Sequence, residues 1–456
     1  MSHRVPAAPR FAALALSLIA AGCGEDETHP APLQQPEPPP CEEARPDAAG
    51  FVSRSCLSVL ESEPHIATST TGTVAMAWIG IDYARSHIGV TTSADPVGEA
   101  GEWTPITPIF APDERTASDP VLVAEADGSF RVTFIGFVRN AQGVPEKMRL
   151  YVAHVGADGV PLGEPVDISP ALATTLLDKP WIARTASGTL LVSYAYATAE
   201  RSGLGLARSL DGSKWEHVTV VEGALADVFR NLTYLCVAGE RVHVPFYEVR
   251  SLGGALTYSI ELRTSDDDGL TFPDSLATQV SAGDEDDAAF SMPTCATRGD
   301  DVLVSYGLSQ ETIGGEEGLS SLPLLHDLRL AVSNDGGASI AERRSVLDPN
   351  DEPLALLPHL AAAADGTIAL TYFTGKASGD TAGTARLRLG AFVAGGSPTL
   401  GPPSAVRAPL TFTGARTETT WLGDYTGLAF RDRDLVGALT DNGDGTSHVA
   451  LLRVPR

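Results

Sequence analysis

Positive charge is what this chain has least of. Its 32 lysines and arginines face 58 aspartates and glutamates, a formal net charge of −26 at neutral pH across 456 residues. Such a field repels nucleic acid and anionic lipid headgroups, so neither is expected as a partner. The 10 histidines are scattered and never take the His-Glu-x-x-His spacing of a helix-borne zinc site. No Walker-type phosphate loop and no Gly-x-Ser-x-Gly elbow occurs either. No metal site and no cofactor is therefore expected. The acidic loop "GDEDDAAF" at 283–290 reads as a solvated face, with weak Ca2+ binding as the alternative. Beyond the first 22 residues no run reaches the roughly 18 apolar residues of a membrane-spanning helix.

Glycine (45) and proline (32) are plentiful, and strings such as "GTLLVSYAY" are β-rich. The length suits two or three domains, or one repeat architecture that extends its core without thickening it. Repetition is evident: a proline, a small-and-apolar run, a turn with Gly or Asp, then an alternating strand ending in an aromatic. Copies start at Pro64, Pro120, Pro180, Leu232, Pro293, Pro358 and Tyr425. Each is followed by a third strand, from "SHIGVTTS" in the first to "HVALLRV" in the last, and six by a fourth, such as "HVTVV". The last unit runs out of chain, and "SRSCLSVL" at 53–60 is the segment expected to complete it. The pattern predicts an all-β, seven-bladed β-propeller of four-stranded antiparallel blades over residues 53–456, with six blades as the alternative. Alanines of the first strands (Ala67, Ala183, Ala296, Ala361, Ala429) fit a crowded central axis.

The N-terminus reads as an address. Arg4 and Arg10 precede "FAALALSLIAA", and "AAGC" ends the run at Cys23. This resembles a bacterial lipoprotein signal, with Gly22 before the cleavage point and Ala20 where leucine is commoner. The resemblance implies a signal over 1–22 and a lipidated Cys23. It implies a place in the bacterial cell envelope, at the outer membrane or cell surface, with the N-terminal lipid as the sole membrane contact. Residues 23–52, rich in Pro and Glu, read as an extended tether. Cys41, Cys56, Cys236 and Cys295 allow three pairings in an exported chain. Cys41–Cys56 and Cys236–Cys295 are favoured, since the latter two fall in first strands of consecutive units. They fit equally as small buried hydrophobes.

The stretch "RTSDDDGLTF" at 263–272 is a turn after a third strand, with Ser265, Asp267, Gly269, Thr271 and Phe272 at regular spacing. Unit five repeats it with Ser333, Asp335, Gly337 and Ser339, and unit three, one residue shorter, with Ser209, Asp211, Gly212 and Trp215. This resembles the Asp-box, or bacterial neuraminidase repeat, of sialidase-like propellers. There the box is structural and lies away from the ligand pocket, which implies the same here and leaves Asp266 and Asp268 as solvated neighbours.

Residues entering the innermost strands line one mouth of a propeller's channel. Here they are Glu63, His65, Asp119, Asp178, Lys179, Trp181, Arg230, Asn231, Met292, His359, Asp424 and Tyr425. Carboxylates beside aromatics and a few bases suit hydrogen bonding and stacking with a sugar. A sialidase needs three arginines to clamp the substrate carboxylate, a Tyr–Glu nucleophile pair and an acid/base Asp. The Phe/Tyr-Arg-Ile-Pro motif is missing, leaving Arg115, Arg230 and Arg416 to converge, with Tyr425 or Tyr234 beside Glu63. The expectation is a non-catalytic propeller whose partner is a glycan or an extracellular protein; an exo-sialidase-type glycoside hydrolase is the alternative.

Overall fold

The computed structural model describes residues 58–454 except 83–85, 97–102, 114, 141–143, 253–254, 283–287, 309–324, 348–353, 378–381, 393–403, 406–409, 414–420 and 443–445. The signal, tether, Cys23, Cys41, Cys56 and Arg416 lie outside the described residues. The protein is an all-β propeller, and the one helical element described is a 3-10 turn at Asp274–Leu276.

Six blades are four-stranded antiparallel meanders. The first comprises Leu60–Thr68, Val74–Ile81, Ser86–Ser93 and Thr107–Ile109. The inner strands of the next five begin at Thr116, Leu176, Val228, Thr294 and Leu354. The fourth blade's inner strand comes in two pieces, Val228–Asn231 and Cys236–Ala238, and the sixth blade's outer strand in Ser404–Ala405 and Leu410–Thr413. A three-stranded sheet, Gly427–Arg431, Asp434–Asp441 and His448–Val454, stands between the sixth blade and the first.

This corrects the expectation of seven four-stranded blades closed by 53–60. Residues 53–57 lie outside the described set. Val59 donates its N–H to the Ile81 carbonyl at 2.8 Å, and Leu60 pairs with Ile81. That end of the segment thus extends the first blade's own inner strand. The ring closes instead through contacts such as the Glu61 N–H on the Ser447 carbonyl, 2.9 Å.

Middle strands such as Val74–Ile81 (VAMAWIGI) are apolar almost throughout because both faces pack on neighbouring sheets. Buried residues of blades two to five form one continuous cluster, including Val121, Trp181, Phe246 and Val304. The disulfide Cys236–Cys295 joins the inner strands of the fourth and fifth blades, as the repeat predicts.

An antiparallel meander puts the inner hairpins and the turns after third strands at one end of each blade. The entries to the inner strands are at the other. At the hairpin end, Ser265 Oγ accepts the Gly269 N–H (3.0 Å) and donates to Asp267 (2.6 Å). Asp267 accepts both the N–H (2.9 Å) and the hydroxyl (2.6 Å) of Thr271. Ser333, Asp335, Gly337 and Ser339 repeat the pattern. In the shorter turn, Ser209 takes the Gly212 N–H while Asp211 takes those of Ser213 and Lys214. Gly337 has φ +88°, and a Cβ there would stand 2.9 Å from Thr264 Oγ1. Trp215 and Phe272 pack on the core.

Asp268 is not a solvated neighbour. It accepts from Ser187 at 3.1 Å and from Thr189, both on the third blade's inner hairpin, and lies 3.7 Å from Arg208. It therefore rivets the fourth blade to the third. Asp266, half exposed, pairs with Arg241 at 2.5 Å.

Candidate functional site

A backbone distortion builds the axial site. Glu63, Asp119, Lys179 and Leu357, each in an inner strand, and Leu232, between the two pieces of a fifth, have φ between 46° and 56°. Four of them precede proline, which disfavours helical backbone in the residue before it. A side-chain-bearing residue in this region costs on the order of 1–3 kcal/mol. Strand register breaks at the same places, between Ser62 and His65, Ser118 and Val121, and Leu356 and His359. Such bulges re-aim side chains. Three of the left-handed residues (Glu63, Asp119, Lys179) and the rings two positions after four of them (His65, Trp181, Tyr234, His359) accordingly meet across the axis.

Gly423 takes the corresponding place before the three-stranded sheet, at φ +81°. A Cβ on it would meet Glu63 Cγ at 2.4 Å and Glu63 N at 2.9 Å. Only glycine lets the chain pass there and deliver Asp424.

Glu63, Asp119 and Lys179 make an ion cage with Asp424. Lys179 Nζ lies 2.5 Å from Asp424, 3.1 Å from Asp119 and 3.5 Å from Glu63. Its neighbour Asp178 accepts the Lys179 N–H at 2.9 Å and the Asn231 amide at 2.8 Å. Asp424 donates its own N–H to Glu63 Oε1 (3.0 Å), whereas the buried Glu63 Oε2 has no hydrogen-bond partner. Lys179, Glu63, Asp119 and Asp178 are buried, and the Asp424 carboxylate, 27% exposed, is where the cage meets solvent.

Burial pushes the carboxyls of Glu63 and Asp178 up, the latter to about 6, against the pull of the Lys179 ammonium. For Lys179 itself burial favours the neutral amine. Asp119, Asp424, Glu63 and Asp178 together outweigh it and hold the ammonium well above its ordinary range.

Beside the cage the axis is filled with rings. Trp181 packs on Tyr234 (centroids 4.0 Å), on His65 (5.1 Å), on Tyr425 (5.7 Å) and on His359 (6.0 Å). The small alanines are therefore not the whole lining of the axis. His65 Nδ1 accepts the Leu122 N–H (3.1 Å), which puts the proton of the neutral ring on Nε2. Tyr234 shares a hydrogen bond with His359 Nε2 (3.2 Å), and Tyr425 donates to the Pro120 carbonyl (3.1 Å). Burial holds both imidazoles neutral, His359 down to about 3, and His65 well below its usual value with help from His359.

Of the twelve residues expected at the mouth, the structure brings ten into this assembly, Asn231 through Asp178. Arg230 is not among them. It is buried against Glu248 (2.7 Å) and the Ser202 carbonyl. Arg115 donates to the Lys147 carbonyl at 2.6 Å. Among the described residues, Lys179 is thus the cation at the axis, and no arginine joins it. Trp421, half-buried and three residues before Asp424, went unnoticed in the sequence because it lies outside the repeated segment. Its signal was an aromatic and a carboxylate flanking a glycine. No group of three His, Cys, Asp or Glu among the described residues is placed to hold a metal ion.

At the opposite end, a cleft of about 280 Å3 lies between blades two and three. Glu125 in its wall is already paired with Arg131 (2.8 Å) and Arg184 (3.4 Å).

No protein family matches the sequence, and no curated protein does. Solved structures do resemble the fold. The Hadza microbial sialidase Hz136 is 12% identical with a TM-score of 0.50, over 87% of this chain and 66% of its own. The phage phi92 endosialidase is 11% identical with a TM-score of 0.48, over 88% and 68%. A Dyadobacter fermentans protein of unknown function reaches 0.46 at 14% identity, over 91% and 99%. The chain spans about two thirds of the first of these. Likeness at this identity shows the sialidase-like propeller fold and nothing of the chemistry.

Proposed function

We propose that this protein is an extracytoplasmic, lipid-anchored propeller that binds a glycan without cleaving it. One observation carries the non-catalytic reading: the Lys179 ammonium fills the space between Asp119, Glu63 and Asp424. Most glycosidases cleave between two carboxyl groups, one free to give a proton and one free to attack or activate water, and a sialidase needs its acid/base Asp and Tyr–Glu pair equally free. Here the gap between the carboxylates is already occupied by a buried cation. A sialoside clamp needs free arginines, and Arg230 and Arg115 are committed elsewhere. The same reading takes the serine–aspartate turns as Asp-boxes and the three-stranded sheet as an incomplete seventh blade.

Export is supported by the Cys236–Cys295 disulfide, since such bonds persist in oxidising compartments. The lipid anchor rests on Cys23 and its setting in the sequence.

Two measurements test the proposal. Incubation with fluorogenic sialosides and neutral glycosides is expected to give no turnover while a glycan array gives saturable binding. Turnover that survives purification and vanishes in Asp424→Asn overturns the non-catalytic reading. Fractionation of Cys23→Ala is expected to move the protein from membranes to the soluble phase; retention on membranes overturns the anchor.

A further inference from the structure

We infer that the cleft between blades two and three binds a small monocarboxylate that carries an apolar group, its carboxylate seated on Arg131 and Arg184 and its apolar part against Leu210. The site lies at the hairpin end, away from the axial cage, and does not rest on the glycan reading.

Three observations carry the inference. First, the cleft has room: about 280 Å3, close to the lower end of small-molecule pockets at roughly 300–1,000 Å3. Blade two contributes Glu125, Arg131 and His154 to its wall, and blade three Arg184, Leu190 and Leu210.

Second, its guanidiniums are short of acceptors. Arg131 donates its Nε–H to Glu125 Oε1 at 2.8 Å, and its terminal nitrogens have no acceptor among the described residues. Arg184 Nε is buried 3.4 Å from Glu125 Oε2 and makes no hydrogen bond, nor do its terminal nitrogens among the described residues. A guanidinium has five N–H donors, and buried donors are ordinarily paired. The junction of blades four and five gives the contrast. Arg241 stands over Gly336 there as Arg131 stands over Gly212. Yet that one guanidinium meets two carboxylates, Asp266 at 2.5 Å and Asp300 at 3.2 Å. Between blades two and three, two guanidiniums share one carboxylate.

Third, the rest of the wall selects the ligand. Burial and the neighbouring Arg131 hold the His154 imidazole below its ordinary value, so at neutral pH it adds no charge. The floor is left with one positive charge in excess, and a guanidinium fork matches a carboxylate. Asp127 and Asp211 stand exposed at the rim, each tied into its own turn, where they disfavour a second negative charge on the ligand. Leu210 is 77% exposed and takes the place held by Asp266 and Asn334 in the other two serine–aspartate turns. An apolar side chain is thus left in water at the one such turn that lines the cleft, and covering it is favourable.

A free acid and the C-terminus of a peptide share this chemistry. Titration calorimetry on the full-length protein in detergent uses N-acetyl-leucine and a short peptide ending in leucine, each beside its C-terminal amide, together with acetate and inorganic phosphate. Expected is saturable binding of at least one of the two acids that falls by about tenfold or more in its amide, with acetate and phosphate weaker. Tighter binding of the peptide identifies a chain terminus as the source, and tighter binding of N-acetyl-leucine a free acid; both support the site. Arg131→Met and Arg184→Met, which keep an apolar stem, should each weaken binding by about tenfold, and Leu210→Ser by about threefold. Circular dichroism of each variant confirms the fold, and Arg241→Met serves as a control that leaves binding unchanged. Equal affinity for acid and amide, preference for phosphate, unaltered binding in both arginine variants, or no saturation by either acid up to about 10 mM overturns the inference.

Discussion

Replacing Lys179 by methionine keeps the length of the side chain and removes the single ammonium from a cage of carboxylates. In the folded protein three of these approach it within 2.5–3.5 Å, and none but Asp424 has appreciable contact with water. Breaking a buried ion pair by deleting one partner costs about 3–5 kcal/mol, because the remaining charge stays desolvated and unpaired. In a domain of about 400 residues that corresponds to a fall in Tm of roughly 4–6 °C at pH 7. The deficit also has a pH signature. Without the ammonium, the folded-state pKa values of Glu63 and Asp178, both lowered by Lys179, rise further above their unfolded values. The folded state then binds more protons than the unfolded one as pH falls from 7 toward 5, so the variant regains stability relative to wild type. Urea unfolding of both proteins at pH 5, 6, 7 and 8 measures this. A deficit below about 1 kcal/mol at pH 7, or one that is the same at pH 5 and 8, would refute the cage as an electrostatic unit.

The axial imidazoles predict the opposite slope. His359, held neutral down to about 3, binds fewer protons folded than unfolded below about 6.5, so stability should fall with acidification by up to about 1.4 kcal/mol per pH unit per site. His359→Phe should flatten that limb in urea melts between pH 4 and 7; an unchanged slope would assign the acid lability elsewhere. At the hairpin end, Asp268→Ala strips Ser187 and Thr189 of their acceptor and should cost about 1–3 kcal/mol. Asp266→Ala, an exposed pair with Arg241, should stay within about 0.5 kcal/mol, and equal effects would remove the rivet role of Asp268. The double variant Cys236→Ser, Cys295→Ser opens a link between positions 59 residues apart and should lose about 2–4 kcal/mol under non-reducing conditions. No loss would mean that blades four and five are held by packing alone.

Much of the fold was legible because it is local. Strand alternation in "HVALLRV" and the Ser-x-Asp-x-Gly spacing of 265–269 are each set within a few residues, and the structure makes them a strand and a hydrogen-bonded turn. The Cys236–Cys295 bridge was legible for a related reason: equivalent positions in consecutive inner strands are neighbours in space. Six complete blades rather than seven were not legible, since the strand role of Val59 and Leu60 depends on which sheet edge they reach. Arg230 shows the limit from the other side. It precedes an inner strand as the axial residues do, yet its cross-strand partner Glu248 captures it. Glu248 lies in a different strand of the same blade, and nothing near Arg230 in sequence announces it.

The proline of each repeat carried more information than a strand start. At Pro64, Pro120 and Pro180 it follows a left-handed residue, and that residue is Glu63, Asp119 or Lys179. Proline ordinarily steers the preceding residue toward extended backbone, so the recurrence of this strained pair in successive blades needs a compensating gain. Convergence at the axis supplies it. A side chain at this position in one blade faces those at the same position in the others, and the sequence puts one lysine there among acids. Had the copies been aligned on the residue before proline, the single basic member of the column would have predicted a pairing across the ring. The structure contains it as the bonds from Lys179 to blades one and two and to Asp424. The strain and three members of the cage, Glu63, Asp119 and Lys179, are thus consequences of a single repeated dipeptide, whereas Asp424 is delivered by the left-handed Gly423. The strained entries of the inner strands and the serine–aspartate turns accordingly sit at opposite ends of the blades.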